Sequence, residues 1–262
     1  EEKTMHSIVA RLGVVASCIV VAGMWTLPAV AQDPHTTIGV GAGILPKYEG
    51  SKKYTARPYP TVHYRSGNFF IAPKAEMPSI GLQTQLTPGW TVGVFGGYQW
   101  GRKASDDPHL YGTKRIHDHL NAGVFTQYAV EDFTLSATYY HSLRSGYGSG
   151  LQLGGAYKVW QEGLSAVRIG GNLSFMDKDA MRRHFGVTAG ESAASGGRLS
   201  AFHPSGGLKS VTVYSAYSYQ LSESWNVNAA IGLKNLTGDA RKSPLTERET
   251  SVYGSVGVGY SF

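Results

Sequence analysis

The chain has 262 residues, a formal net charge of +6 at pH 7 and one cysteine, Cys18. A single cysteine excludes an intrachain disulfide framework and a multi-cysteine zinc site, so the fold is stable without covalent cross-links. The basic balance favours anionic partners. The richness in glycine and tyrosine, 34 and 16 residues, is typical of alternating strands rather than of a packed globular core.

The N-terminal segment, residues 1–31, predicts a cleaved secretory signal peptide. A weakly basic start precedes the apolar run Leu12–Leu27, and a small-residue cleavage pattern ends at Ala31. We expect cleavage before Gln32, which leaves one domain of residues 32–262. The alternative is a transmembrane anchor, but the apolar run is short for one. Because the chain is exported, nucleic acid is not an expected partner.

Alternation of apolar and polar residues recurs along the remaining chain and predicts an all-β fold. Successive strand residues point to opposite faces, so each segment has one apolar and one polar face. Twelve segments follow this pattern: Thr37–Leu45, Tyr54–Tyr64, Asn68–Ala75, Ile80–Leu86, Trp90–Trp100, His117–Tyr128, Phe133–Leu143, Leu151–Trp160, Leu164–Phe175, Lys209–Tyr219, Trp225–Leu233 and Ser251–Phe262. An even strand number fits a transmembrane, antiparallel, up-and-down β-barrel. Pro73 and Pro78 resist strand structure, and without the strand pair around them the count falls to ten.

The connections between these segments alternate between short turns and long loops. The long ones are Gly101–Ile116, Met176–Leu208 and Asn235–Thr250. Short periplasmic turns and long extracellular loops are the asymmetry of outer-membrane barrels. Aromatic residues collect beside the short turns, as an interfacial girdle requires: Trp90, Tyr128, Phe133, Trp225, Tyr260 and Phe262. A secreted β-sandwich explains the alternation but neither the asymmetry nor the girdle.

The last strand has an apolar face suited to lipid and ends on an aromatic residue. Gly257, Tyr260 and Phe262 resemble the C-terminal signal that the barrel-assembly machinery reads. We therefore expect this machinery, membrane lipid and lipopolysaccharide to be partners of the chain. Arg182, Arg183 and Arg198 are candidates for contact with lipopolysaccharide phosphates.

Alternation also places a mainly basic set of side chains inside the predicted barrel: Arg57, His63, Lys158, Arg168 and Lys234. Such a lumen either selects small anions or only hydrates and pairs its charges. Twelve-stranded barrels lie between filled and open ones in size, and Met176–Leu208 is long enough to fold inward as a plug. The glycines at 39, 41 and 43 alternate within a strand and are expected to leave space inside the barrel.

The sequence gives little support for a metal or catalytic site. His117 and His119 share one strand face near the predicted outer rim, and two neutral imidazoles so placed can share Zn²⁺ or Cu²⁺. However, their spacing fixes no third ligand, and a solvated polar rim is the simpler interpretation. We predict no enzymatic activity, no cofactor and no resident metal, and we keep these two histidines as the weak metal candidates.

Several collinear motifs resemble the MipA/OmpV family of outer-membrane proteins, and together they span essentially the whole mature chain. They are Gly39-x-Gly41, Pro46-Lys47-Tyr48-Glu49-Gly50-Ser51, Arg57-Pro58-Tyr59-Pro60, Tyr98-x-x-Gly101-Arg102, His184-Phe185-Gly186-Val187-Thr188, Leu236-x-Gly238-Asp239-Ala240 and Tyr260-Ser261-Phe262. The resemblance supplies no established catalytic residue.

The resemblance implies a location in the cell outer membrane and a role in peptidoglycan remodelling. The family takes its name from a scaffold that links the murein transglycosylase MltA to a bifunctional penicillin-binding protein, a murein synthase. Other members are discussed as adhesins and porin-like channels. The alternative expectation is therefore a channel or surface-binding protein with a basic lumen.

Overall fold

The computed structural model describes residues 35–262, which form a closed antiparallel barrel of twelve strands. Each strand pairs with its neighbours in sequence, and the first pairs with the last. The strands are β1 (His35–Pro46), β2 (Tyr54–Ser66), β3 (Phe69–Ile71), β4 (Ser79–Thr87), β5 (Trp90–Gln99), β6 (His119–Val130), β7 (Phe133–Ser142), β8 (Ser149–Glu162), β9 (Ser165–Met176), β10 (Gly207–Gln220), β11 (Trp225–Leu236) and β12 (Thr250–Ser261). The predicted all-β, up-and-down barrel is confirmed, whereas the signal peptide lies outside the described residues and stays a prediction.

The strand pair around Pro73 and Pro78 exists, so the strand number is twelve and not ten. Its first member is shorter than predicted, because β3 ends at Ile71 instead of continuing to Ala75. Proline has no N–H for the ladder. The chain leaves the sheet before Pro73 and turns into the barrel.

Among residues 35–262, helical elements lie only in the long connections: α1 (Lys178–Phe185), α2 (Ala189–Ala194), α3 (Gly238–Lys242) and the 3₁₀ turns Ala104–Asp106 and Pro108–Leu110. None of the helices within residues 35–262 is long and apolar enough to cross a membrane. The five short turns, after β2, β4, β6, β8 and β10, share the opposite end of the barrel with the last residue. The predicted asymmetry between short turns and long loops is therefore present.

The outward face of the barrel is apolar. Val40 and Ile231 are 63% and 61% exposed, and Val256, on the strand between them, is 59% exposed. An apolar band of this kind would be unstable in water and is the surface that lipid covers. The exposed apolar positions alternate with inward positions along each strand, as the pleat requires.

Aromatic side chains surround the short-turn end. The Tyr260 ring lies 5.0 Å from Trp225 and 4.9 Å from Phe262, measured between ring centroids. Trp90 Nε1 donates a hydrogen bond of 2.8 Å to Thr126 Oγ1 on the neighbouring strand. These positions suit an interfacial girdle. Gly257 lies on the inward face of β12, and the role of this ending as an assembly signal stays a prediction.

Inside the barrel, aromatic rings lie against glycines of neighbouring strands. A Cβ added at Gly41 would lie 2.6 Å from the Tyr59 ring, and one at Gly232 would lie 2.4 Å from the Tyr253 ring. Five more pairs repeat this arrangement: Gly81–Phe70, Gly93–Phe125, Gly123–Phe95, Gly150–Tyr140 and Gly170–Tyr214. The glycines provide the space that lets large rings fill the lumen.

We expect Gly232→Ala to destabilise the barrel by about 1–3 kcal/mol, because Tyr253 must move away from the new methyl group. The matched control is Gly96→Ala on the outward face of β5, where no atom lies within 4 Å of the added Cβ. Its effect should stay within about 0.5 kcal/mol. Urea midpoints of the detergent-folded barrels, read from heat-modifiable gel mobility, measure both changes. Equal midpoints for the two variants would contradict the packing argument.

Candidate functional site

A folded cap covers the long-loop end of the barrel. We define the cap as residues 47–53, 100–118, 177–206 and 237–249, the four connections that pack on one another. One apolar cluster joins Met181 and Phe185 of α1 to Leu236 and Ala240. A second consists of Tyr48, Leu110, Val187, Leu199 and Leu245, with Phe202 packed against it. The first cluster joins two of these connections and the second joins all four, so the cap is one packed unit over the outer mouth.

Local capping interactions explain where the cap helices begin. The Asp177 carboxylate accepts hydrogen bonds from Ala180 N at 2.8 Å and from Ser149 N at 2.7 Å. The same side chain therefore caps α1 and fixes it to the start of β8. Thr188 and Glu191 form a capping box at α2. Glu191 also accepts from Lys114 N at 2.7 Å, which joins two of the long connections.

Buried hydroxyl groups hold the cap segments together. Tyr48 Oη donates to the Leu245 carbonyl oxygen at 3.0 Å, and Ser243 Oγ donates to the Phe185 carbonyl oxygen at 2.6 Å. Val187 and Phe202 exchange two backbone hydrogen bonds. The sequence predicts that this connection is long enough to fold inward as a plug. In the structure, residues 177–206 instead form the main part of the cap.

The lumen below the cap is occupied by residues 72–78, which we name the inner hairpin. Lys74 and Met77 exchange two backbone hydrogen bonds of 2.9 Å across Ala75 and Glu76. Both turn residues have positive φ, 46° and 66°, as a two-residue type I′ turn requires. Positive φ is uncommon outside glycine, and such backbone strain persists where the surroundings fix a functional geometry.

Apolar packing holds the inner hairpin at mid-height in the barrel. Met77 is buried with Phe70, Phe95 and Phe125. Lys74 Nζ lies 3.7 Å from the centroid of the Phe125 ring, within the range of a cation–π interaction. The predicted strand Asn68–Ala75 was therefore wrong in its second half, which is part of an internal plug.

A buried ionic network joins the inner hairpin, the cap and the barrel wall. Lys234 Nζ on β11 lies 3.1 Å from Glu76 and 3.2 Å from Glu49, and Lys209 Nζ on β10 lies 2.9 Å from Glu49. Both lysine side chains are only 8% exposed. Burial by itself raises the pKa of the Glu49 carboxyl, but the two lysines outweigh it and hold this pKa well below its ordinary range.

Between the cap and the inner hairpin lies a partly enclosed space of about 190 Å³, which we name the chamber. Its floor is Ala75, Glu76 and Met77, and its roof includes His184 and Phe185. The wall is mostly apolar and aromatic: Leu45, Tyr98, Trp100, Ile116, Tyr140, Met176, Leu236 and Tyr253. A concave apolar site with a few convergent charged groups is the usual form of a small-molecule site.

Arg102 brings an additional positive charge to the chamber wall. Its Nη1 donates to the His184 carbonyl oxygen at 3.0 Å, and its guanidinium lies 5.7 Å from the Tyr48 ring. Nε is buried and has no hydrogen-bond acceptor among the described residues. Burial and the neighbouring Arg102 lower the pKa of His184 to about 3, so the imidazole is neutral at pH 7. Burial also lowers the pKa of Arg102, but an arginine stays protonated at pH 7. Its guanidinium forms no salt bridge with any residue in 35–262.

The structure places the five basic residues that alternation predicted for the lumen on inward positions, in different surroundings. Lys234 belongs to the buried network, whereas Lys158 forms an ion pair of 2.9 Å with Asp132 near a short turn. His63 and Arg168 line a second space of about 260 Å³ at the short-turn half, which we name the vestibule. Arg57 is half-buried on β2, opposite Gly43.

His117 and His119 do not form a ligand pair. His119 is buried, its ring lies 4.6 Å from Tyr147, and its Nδ1 lies 3.1 Å from the His117 carbonyl oxygen. His117 precedes β6 and is exposed. Within the described part of the chain, no group of three or more histidine, cysteine or acidic side chains is arranged to hold a metal ion.

Sequence reasoning missed four of the charged residues around the chamber: Glu49, Glu76, Arg102 and Lys209. Glu49 and Arg102 lie in connections, where alternation gives no direction. Glu76 lies in the segment with two prolines, whose irregularity was the only signal. Lys209 lies two residues into β10, where a register irregularity at Leu208 and Ser210 disturbs the alternation.

The closed barrel, its apolar outer band, its aromatic girdle and its asymmetric connections define an outer-membrane β-barrel protein, located in the cell outer membrane. The family model described as MltA-interacting protein MipA matches residues 38–262. The chain therefore belongs to the MipA family. No curated protein matches the chain.

Solved outer-membrane barrels are similar in fold. A loop-deletion mutant of OmpT from Vibrio cholerae is 12% identical, with a TM-score of 0.40 and coverage of 88% of this chain and 98% of that one. OprB from Pseudomonas putida is 11% identical, with a TM-score of 0.45 and coverage of 87% and 93%. An outer-membrane channel from Pseudomonas putida F1 is 9% identical, with a TM-score of 0.44 and coverage of 90% and 97%. These likenesses concern the fold alone.

Proposed function

We propose that the protein is a non-catalytic scaffold that holds a murein hydrolase of the MltA type at the periplasmic face of the outer membrane. The observation that carries this proposal is that the cap and the inner hairpin lie one below the other across the lumen. Because these segments occupy the lumen, binding of a partner falls to the surfaces of the barrel. The family description, MltA-interacting protein, supplies the class of partner, and a murein synthase would complete the assembly.

The short turns supply the chemistry of the contact surface. Glu131, Glu162 and Glu223 are exposed on three of these turns. These three acidic side chains favour a partner with a basic face and speed encounter with it. The turns are small, but the vestibule adds a concave surface beside them that can receive a side chain or loop of the partner.

A porin-like role has weaker support, because the basic residues of the lumen are largely compensated. Lys209 and Lys234 pair with Glu49 and Glu76, and Lys158 pairs with Asp132. Paired charges stabilise a filled barrel and give little attraction for passing anions.

The test is retention of a purified MltA-type transglycosylase on the immobilised, folded barrel. We expect Glu162→Lys/Glu223→Lys to weaken retention about tenfold or more, through loss of electrostatic complementarity. The matched control, Asp179→Lys/Glu249→Lys, makes the same charge change on the cap and should retain the enzyme as the wild type does. Retention lost only in the cap variant, or unchanged in both, would overturn a periplasmic scaffold.

A further inference from the structure

We propose that the chamber binds a small monocarboxylate whose charge pairs with Arg102. This inference is independent of the scaffold role, because the chamber lies between the cap and the inner hairpin and not at the short turns. It names a ligand site inside the barrel and the chemical class of the ligand.

The charged side chains that line the chamber do not balance one another. Glu49 and Glu76 contribute two negative charges, and Lys209 and Lys234 contribute two positive charges, so the network itself is neutral. Arg102 adds one positive charge. Glu49, Glu191 and Asp106 lie near enough to favour the charged guanidinium, but no described carboxylate is at ion-pair distance from it. A ligand with one negative charge would therefore stabilise the site.

The bonding of the guanidinium leaves donors for such a ligand. Nη1 donates to the His184 carbonyl oxygen, whereas Nε is buried and has no acceptor among the described residues. The planar guanidinium matches a carboxylate through two parallel hydrogen bonds. A phosphate dianion would leave one negative charge uncompensated in the same space, so the charge balance favours a carboxylate.

The size and wall of the chamber define the rest of the ligand. A space of about 190 Å³ corresponds to roughly six water molecules of liquid volume, or an organic molecule of about ten non-hydrogen atoms. Leu45, Ile116, Met176 and Trp100 line it. Such walls favour an apolar or aromatic body over a polar one. Benzoate, a planar aromatic monocarboxylate, is a suitable probe.

The experiment is isothermal titration of the folded, full-length mature barrel in detergent with benzoate and with its neutral isostere benzamide. We expect benzoate to bind at least tenfold more tightly than benzamide, and Arg102→Gln to abolish this difference. Lys103→Gln removes the same charge from the adjacent, exposed residue and should bind benzoate as the wild type does. Heat-modifiable gel mobility verifies folding of each variant.

A second variant tests the chamber if Arg102→Gln fails to fold. Ser251 lines the chamber from β12, and Ser251→Leu fills part of the space without changing a charge. We expect it to weaken benzoate binding tenfold or more. Equal binding of benzoate and benzamide, tighter binding of inorganic phosphate than of benzoate, or unchanged benzoate binding in Ser251→Leu would each overturn the proposal. None of these outcomes affects retention of the transglycosylase.

Discussion

Replacement of Lys234 by methionine is expected to destabilise the barrel by about 3–5 kcal/mol, because it removes one partner of a buried ion pair and leaves the other charged. Lys234 is the only cation within ion-pair distance of Glu76 among the described residues, and it also contacts Glu49. Methionine preserves the length of the side chain but not its charge. The resulting variant therefore measures the loss of the ammonium group rather than a cavity.

The control for this prediction is Lys158→Met, which removes a lysine that also pairs with a carboxylate. The Lys158 and Asp132 side chains are 27% and 43% exposed, so solvent screens the pair and its loss should cost no more than about 1 kcal/mol. The double variant Lys234→Met/Glu76→Gln removes both charges and should recover part of the lost stability. Urea midpoints measure all three, and equal losses for the two single lysine variants would contradict a buried network.

The pH dependence of the free energy of unfolding is a second, independent test of the same buried ionic network. Glu49 has an ordinary pKa of 4.5, and in the folded protein its pKa is lowered. A lowered carboxyl pKa contributes stability that is complete above the unfolded pKa and is lost as pH falls through the folded pKa. The wild type should therefore keep this contribution from pH 7 down to about pH 5 and lose it progressively below. In Lys234→Met the pKa is lowered less, so the contribution is smaller and its loss ends at a higher pH.

The barrel could be predicted from the sequence because lipid imposes one rule on every strand. Outward residues such as Val40 and Val256 must be apolar, so alternation repeats with period two along the chain. The short turns could equally be predicted from the sequence, since glycine, proline and acidic residues separate the strands there. The largest error in a strand boundary is at β3, which ends at Ile71 and not at the predicted Ala75, because the chain leaves the sheet before Pro73.

The chamber could not be predicted because its residues follow no local rule. Ala75 and Glu76 adopt a turn that usually contains asparagine or glycine, so nothing in their identity signals it. Alternation also put Lys158 and Lys234 in one class, inward and basic. The structure separates them, because only Lys234 lies near Glu76 of the inner hairpin and Glu49 of the cap. Contacts between residues so distant in sequence depend on the closed topology and not on any segment alone.

In planar-bilayer recordings, the intact barrel should show no steady conductance. The cap covers the outer mouth, and the inner hairpin lies in the lumen at mid-height with Met77 packed against Phe70 and Phe125. Because the two barriers lie in series, removal of either alone should leave the current blocked. Replacement of residues 178–205 by a short Gly-Ser linker removes the helices of the main cap segment and leaves the hairpin in place.

Removal of both barriers should produce steady single-channel steps, because a twelve-stranded barrel is wider than the eight-stranded barrels whose side chains alone fill the interior. The combined variant also replaces residues 73–78 with Gly-Gly and carries Lys234→Gln, so that Lys209 and Glu49 remain as one balanced pair. Its ion selectivity should shift toward cations when Arg168, which lines the vestibule, is changed to glutamate. Steady conductance in the intact protein would instead mean that cap and hairpin open together. In that case transport through the lumen, rather than presentation of a surface, would be the primary role of the barrel.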